Sequence, residues 1–173
     1  MHVPETNPKA VISEPSLYES DFYAWTQKQA ALLRQQQWSQ LDLPNLIEEM
    51  ESLGKQQRQE LRNRLSLLIG HLLKWQYQPE RRSRSWLATI RIQRLDTSDL
   101  LEDNPSLKLY VEEVLQKAYL KGVELAVSET DLPSRTFPAV CPYELDKILS
   151  DRFYPGEPSE LVDELGVSNA TKP

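Results

Sequence analysis

Three arginines, Arg81, Arg82 and Arg84, stand together in the stretch HLLKWQYQPERRSRSWLATI, residues 71–90. With Arg91 and Arg94, a little further on, they form the densest cationic group of the chain and its first candidate binding site. A guanidinium is a planar fork that meets phosphate or carboxylate with two parallel hydrogen bonds. Five of them predict an anion or partner surface, with Tyr77 and Trp86 near enough to stack on bases. Two structural uses compete with this. Cations at a helix start oppose the macrodipole, but at the end of the preceding helix they cap free carbonyls, and that use is favoured for Arg81 and Arg82. In an up-and-down bundle Glu124, Glu129 and Asp131 would come to the same pole, so at least one of the three arginines is predicted to pair with one of these acids.

The charge of the whole chain sharpens the question. Net charge is −6, yet residues 55–94 hold ten Lys or Arg (Lys55, Arg58, Arg62, Arg64, Lys74 and the five arginines above) against Glu60 and Glu80. That segment carries +8 and the remainder −14. Such polarity suits an anionic partner for the middle of the chain, or pairing of the middle with acidic flanks, its own or another copy's.

Other reactive residues are few. Glu48, Glu49, Glu51 and His71 are the only tempting metal ligands. Glu48 and His71 would lie about 35 Å apart on one helix, too far to share an ion, and the Glu-x-x-His spacing of di-iron bundles is absent. No metal site and no cofactor is predicted. Cys141, just before Pro142, would need a base to act as a nucleophile, and His71 is the only histidine placed to serve. A small buried hydrophobe is the commoner use of a single cysteine, and a histidine held by backbone or a carboxylate is the expected state of His71. No phosphate-binding glycine loop and no GxSxG occurs. The reading leans away from an enzyme.

The elements that position these residues are helices. Leu46, Met50, Leu53, Gln57, Leu61, Leu65, Leu68, Leu72 and Trp75 make one apolar line at helical spacing, opened by Asp42 and Pro44 and stopped by Pro79. Its rhythm slips beside Gly54, where a bend or a change of neighbour is expected. The link to the next helix is short, so the two are antiparallel neighbours, and Trp75 and Trp86 are placed to meet across the turn. Phe22, Trp25, Gln29, Leu32 and Leu33 mark an earlier helix capped by Ser20 or Asp21. Asn104 and Pro105 open a later one, with Leu107, Val111, Val114 (or Leu115), Ala118, Gly122 and Leu125 inward; Gly122 is costly in a helix unless a neighbour comes close. The expectation is an all-α antiparallel bundle with main helices near 21–36, 44–77, 83–102 and 105–129, the third weakening near Asp96–Ser98, and a short helix near 142–150. Phe137, Val140 and Cys141 should anchor the intervening loop. An arm of residues 1–16 precedes the bundle domain of residues 17–155, and a mobile tail of residues 156–173 follows it.

Residues 17–34 (LYESDFYAWTQKQAALLR), 41–54 (LDLPNLIEEMESLG) and 71–86 (HLLKWQYQPERRSRSW), followed by DNPSL and TFPAVCP, resemble a bacterial family known only as domain of unknown function 29. The resemblance spans about residues 17–155. Pro44 departs from the acidic or polar residue of that family but suits a first helical turn. The resemblance implies an all-helical fold and no established activity, so it assigns no site residue.

No apolar run reaches the ~20 residues of a membrane span. The first residues lack the basic start and apolar centre of a signal peptide, and one cysteine suits a reducing compartment; the chain is read as cytoplasmic. Of the function classes, a protein–protein interaction module, docking an unidentified partner or its own copy, leads. Binding of nucleic acid or another polyanion through residues 74–94 is the alternative.

Overall fold

The computed structural model describes residues 16–163, which contain helices and no strand. They divide between Ser52 and Leu53 into two compact units.

The first unit is a helical hairpin. Ser16 opens helix α1 (Leu17–Ser20) with a capping box: its hydroxyl accepts the Glu19 amide and the Glu19 carboxylate accepts its own. Asp21, as expected, caps α2 (Phe22–Arg34), accepting the Ala24 amide at 2.9 Å. Gln36, in the left-handed region at φ 58°, turns the chain back, and a 3-10 turn (Trp38–Gln40) leads to α3 (Leu43–Tyr77). Asp42 ties the hairpin at this end: its carboxylate accepts the Trp25 indole N–H at 3.0 Å, and its amide donates to the Gln29 side chain at 2.9 Å. At the other end the Tyr18 hydroxyl donates to Glu49 at 2.6 Å. An earlier residue of one strand of the hairpin meets a later residue of the other, so α2 and α3 are antiparallel.

The second unit holds the rest of α3, α4 (Arg84–Asp103), α5 (Val111–Thr130), α6 (Leu145–Leu149) and α7 (Glu160–Asp163). Here the predicted apolar line is core: Leu61, Leu65, Leu68, Leu72 and Trp75 are fully buried. The close neighbour that Gly122 requires is Gly70 of α3. A Cβ on Gly122 would lie 3.1 Å from the Gly70 nitrogen and 3.1 Å from the Ser66 carbonyl, so the two backbones touch at this crossing. α3 runs unbroken through Gly54, and the boundary between the units falls just before it. α4 is likewise unbroken at Asp96–Ser98, contrary to expectation. Thr97 is fully buried there and returns its hydroxyl proton to the Gln93 carbonyl at 2.6 Å, so a polar residue joins the core without opening the helix.

Further differences follow from packing. Asn104 and Pro105 begin a 3-10 stretch (Pro105–Tyr110) before α5 proper, turning Leu107 inward while Leu109 stays 85% exposed. Phe137 anchors the loop as expected, but Val140 is 72% exposed; Tyr143 fills the role, buried and in hydrogen-bond contact with Gln76. α6 starts at Leu145 instead of Pro142. The segment after Gly156, expected to be a tail, is packed as far as Asp163: Val162 is buried and joins the core cluster. Residues 1–15 of the arm and 164–173 of the tail lie outside the described residues.

Candidate functional site

The five arginines do not form one surface. Arg82 lies half-buried over the Trp75 ring, its guanidinium carbon 5.0 Å from the ring centroid. Its Nε donates to the Trp75 carbonyl at 2.8 Å and one Nη donates to the Glu157 carbonyl at 2.7 Å. The first contact is the carbonyl cap expected at the end of α3; the second holds the C-terminal segment. Arg94 departs further from the sequence reading. It is 1% exposed, lies 4.9 Å from the Tyr154 ring, and donates to the carbonyls of Ile148, at 2.8 Å, and Phe153. Burial pushes both guanidinium groups downward from their ordinary value, though a guanidinium keeps its proton throughout the working range of proteins. Arg94 is therefore removed from the predicted binding surface. Its place in the sequence, with Gln93 the alternative for the face of Trp86 and Ile90, allowed an inward position but gave no sign that its fork would be spent on α6 and the segment after it. Arg81, Arg84 and Arg91 are exposed.

Of the three acids predicted for Arg81, Arg82 and Arg84, Glu129 is taken by another cation. Glu129 pairs with Lys74, whose amine is almost fully buried and also sits 4.2 Å from the Trp86 ring centroid. Lys74 thus links the ends of α3 and α5 to the start of α4. Trp75 and Trp86 do not meet: Trp75 packs on Tyr154, at 5.6 Å between centroids, and Trp86, half-buried, packs on Lys74.

His71 and Cys141 hold local partners. His71 is buried, with Nδ1 3.0 Å from the Leu67 carbonyl, and burial pushes its pKa down. The Cys141 thiol donates to the Tyr143 carbonyl at 3.5 Å, and burial pushes its pKa up, away from the thiolate a nucleophile needs. It lines an open groove of about 590 Å³ between α5 and the loop, with Leu115, Tyr119, Leu120 and Val140. Among the described residues no group of three or more His, Cys, Asp or Glu gathers as metal ligands would. No described helix is long and apolar enough to cross a membrane.

The hairpin carries a feature that the sequence reading missed. Only Trp25, Gln29 and Leu32 of its residues are buried. Phe22 and Leu33, read with Trp25, Gln29 and Leu32 as marking the helix, are 49% and 42% exposed, and Met50, read as part of the apolar line of α3, is 72% exposed. Leu43 and Ile47, outside that line, are equally bare. These five side chains share one side of the hairpin. At about 100° per residue, Phe22 and Leu33 turn away from the seam on α2 in the same rotational sense as Met50 and Leu43 on α3. Because the two helices are antiparallel, equal senses of rotation bring both sets to the same face. A signal was present: two helices offer a mutual seam only one stripe wide, and the sequence supplies more apolar positions than that seam can cover.

The edge of the hairpin is acidic and hydrogen-bonded. Glu49 accepts from Tyr18 and pushes that phenol up to about 12. Hydrogen bonds from Asn45 and Trp25 hold the Asp42 carboxyl below its ordinary value. Both carboxylates are thus fixed at the seam, and the apolar face beside them is what remains for contact.

Against known proteins, the family described as Domain of unknown function DUF29 matches residues 17–154. No curated protein and no solved structure matches the chain.

Proposed function

The chain belongs to the DUF29 family, and we propose that it is a protein–protein interaction module whose hairpin, residues 16–52, docks a helical protein surface. The observation that carries this reading is the face formed by Phe22, Leu33, Leu43, Ile47 and Met50. Taking roughly 100 Å² for each half-bare large side chain, it offers about 500 Å² of contiguous apolar surface, the range in which exposed patches on monomers serve as contact sites. A helix laid between α2 and α3 would meet side chains at the i, i+4, i+7 spacing that helix-in-groove recognition uses. The reading places the module in the cytoplasm, where its single thiol stays reduced.

The polyanion alternative is weaker. Arg82 and Arg94 are committed to backbone carbonyls, which leaves three exposed arginines on a chain of net charge −6.

Photo-cross-linking in living cells tests the docking reading. Benzoylphenylalanine replaces Ile47 or Met50 in turn, with exposed Ser128 of the second unit as control. Cross-links to protein from both hairpin positions and none from Ser128 are expected. Hairpin positions that capture no protein, whether this chain or another, overturn the reading.

A further inference from the structure

We infer that the groove between α5 and the second-unit part of α3 binds the phosphoryl group of a phosphate monoester, with Arg58 and Arg62 as its ligands. This site is separate from the hairpin face and owes nothing to the docking reading.

The groove holds about 210 Å³ and is lined by Lys55, Arg58 and Arg62 of α3 and by Glu113 and Lys117 of α5. All of these residues belong to the second unit. It lies about two turns before the point where Gly70 and Gly122 bring the two backbones together. Four of its five charged side chains are cations, and its one carboxylate is spent, because Glu113 accepts from Lys117 at 2.5 Å.

Arg58 and Arg62 stand four residues apart on one face of the helix, where like charges destabilise. Both are half-buried. Neither is paired with a carboxylate among the described residues. Arg64, on the other side of the same helix, shows the contrast: it pairs with both Glu60 and Asp96.

The donors left over suit an anion's oxygens. Arg62 gives one Nη to the Gln59 side chain, and its Nε is buried with no hydrogen-bond partner among the described residues. A buried donor without an acceptor is costly. Arg58 lies over the Tyr110 ring, 4.8 Å from the centroid. That contact uses the flat face of the guanidinium and leaves the N–H groups in its plane for an acceptor. The hydrogen bond and charge of Lys117, and more weakly the charge of Arg58, hold the Glu113 carboxyl below its ordinary value, so the field of Arg58 reaches the groove. Lys55 has contacts of its own and adds charge only.

Charge and size select the ligand. A phosphate monoester concentrates about −1.5 to −2 charges and three strong acceptor oxygens at one point, which two guanidinium forks match. A nucleic-acid backbone spreads single charges along a strand and calls for a row of cations. The groove is smaller than the roughly 300 Å³ at which drug-sized pockets begin, so the phosphoryl group sits inside and the rest of the ester lies outside.

Nuclear magnetic resonance of the arginine Nε–H groups of the full chain is the test, with O-phosphoserine and inorganic phosphate added separately and sodium chloride of equal ionic strength as control. The Arg58 and Arg62 signals should shift saturably with both phosphate compounds and not with chloride. Arg58→Gln and Arg62→Gln should each raise the dissociation constant about tenfold, the loss of one charge-assisted contact. Arg58→Lys and Arg62→Lys keep the charge without the fork and should fall between, which decides the matter if a glutamine variant loses helicity by circular dichroism. Exposed Arg91→Gln should bind as the parent does. A phosphoserine peptide that binds tighter than O-phosphoserine places the ester on a protein, and equal binding places it on a small molecule. No saturable shift with O-phosphoserine overturns the inference, even where inorganic phosphate binds. So does an equal response to chloride or an equal loss in Arg91→Gln. A single-stranded oligonucleotide that moves these signals where O-phosphoserine does not overturns it in favour of a nucleic-acid backbone.

Discussion

Glycine-to-alanine exchange at three points of two helices separates local helix propensity from packing, with opposite signs predicted. Gly54 stands on an exposed turn of α3, and a Cβ built there meets nothing within 4 Å. Alanine at such a site restricts the unfolded chain and favours the helix, so Gly54→Ala should stabilise by roughly 0.5–1 kcal/mol. Gly122 has the same propensity to gain, but its Cβ would sit 3.1 Å from the Gly70 nitrogen, the Ile69 Cγ2 and the Ser66 carbonyl. Non-bonded carbon needs about 3.5–4.0 Å. Two of those three atoms are backbone and can move only if α3 and α5 part. Over-packing of this kind costs about 1–3 kcal/mol, which outweighs the propensity term, so Gly122→Ala should lose about 1 kcal/mol net. Gly70→Ala lies between the two: its nearest contact, at 2.6 Å, is the end of the flexible Leu125 side chain, while the next is the Gly122 carbonyl at 3.1 Å.

The measurement is equilibrium urea denaturation followed by far-ultraviolet circular dichroism, with thermal melts alongside. Gly54→Ala and Gly122→Ala should differ by about 2 kcal/mol, and their melting temperatures by roughly 4–8 °C for a chain of this size. A Gly122→Ala protein as stable as Gly54→Ala would refute the close crossing, because propensity alone would then describe both sites.

Two further predictions concern buried polar groups. Arg94→Lys should destabilise by about 1–3 kcal/mol, since one ammonium cannot reach the carbonyls of both Ile148 and Phe153 and leaves one of them unsatisfied; exposed Arg91→Lys should stay within about 0.5 kcal/mol, and equal urea midpoints for the two would refute the strapping role. His71 titrates lower in the folded chain than its ordinary 6.5, so the unfolded chain binds the extra proton first. Its contribution is fully present above pH 6.5 and is lost as pH falls from there towards the folded pKa, at up to about 1.4 kcal/mol per pH unit. Unfolding free energy at pH 7.5 and 5.5 should therefore drop less in His71→Gln than in the parent, and parallel drops would refute it.

What the sequence made legible was whatever repeats with the helical period inside a finished core. The line from Leu61 to Trp75 is buried as read, and the demand of Gly122 for a close neighbour is met by Gly70. The same line failed from Met50 to Leu53, because periodicity reports which side of a helix is apolar and not whether anything covers it. Two helices of one hairpin cover a single seam, so the remaining stripe stays bare. The arginines were illegible for a different reason. Arg82 and Arg94 reach carbonyls of residues 148–157, more than fifty positions away in the chain, and a backbone carbonyl leaves no trace in residue type. Only the acids could be seen from sequence, and one of the three expected at the pole of Arg81, Arg82 and Arg84, Glu129, went to Lys74.

The cluster at the start of α4 breaks a local electrostatic rule, and its position explains why the rule can be broken. Arg82 does not face the N-terminal amides of α4; it points back to the C-terminal carbonyl of Trp75, where the α3 dipole favours a cation. The same fork also holds the Glu157 carbonyl, and Arg94 holds Ile148 and Phe153, so two cations fasten the segment that closes over Trp75 and Tyr154. Neutral donors in those places would bond the carbonyls less strongly, since charge-assisted hydrogen bonds are roughly twice as strong. Four of the ten cations of residues 55–94 are thereby engaged within the second unit: Arg64 pairs with Glu60 and Asp96, Lys74 with Glu129, and Arg82 and Arg94 with the backbone. A cation already bonded within its own unit is a poor ligand for a phosphate, because binding would first have to undo a contact that the fold uses. The hairpin face leaves Leu33, Leu43, Ile47 and Met50 exposed, so a partner covers apolar surface there without displacing a bonded cation.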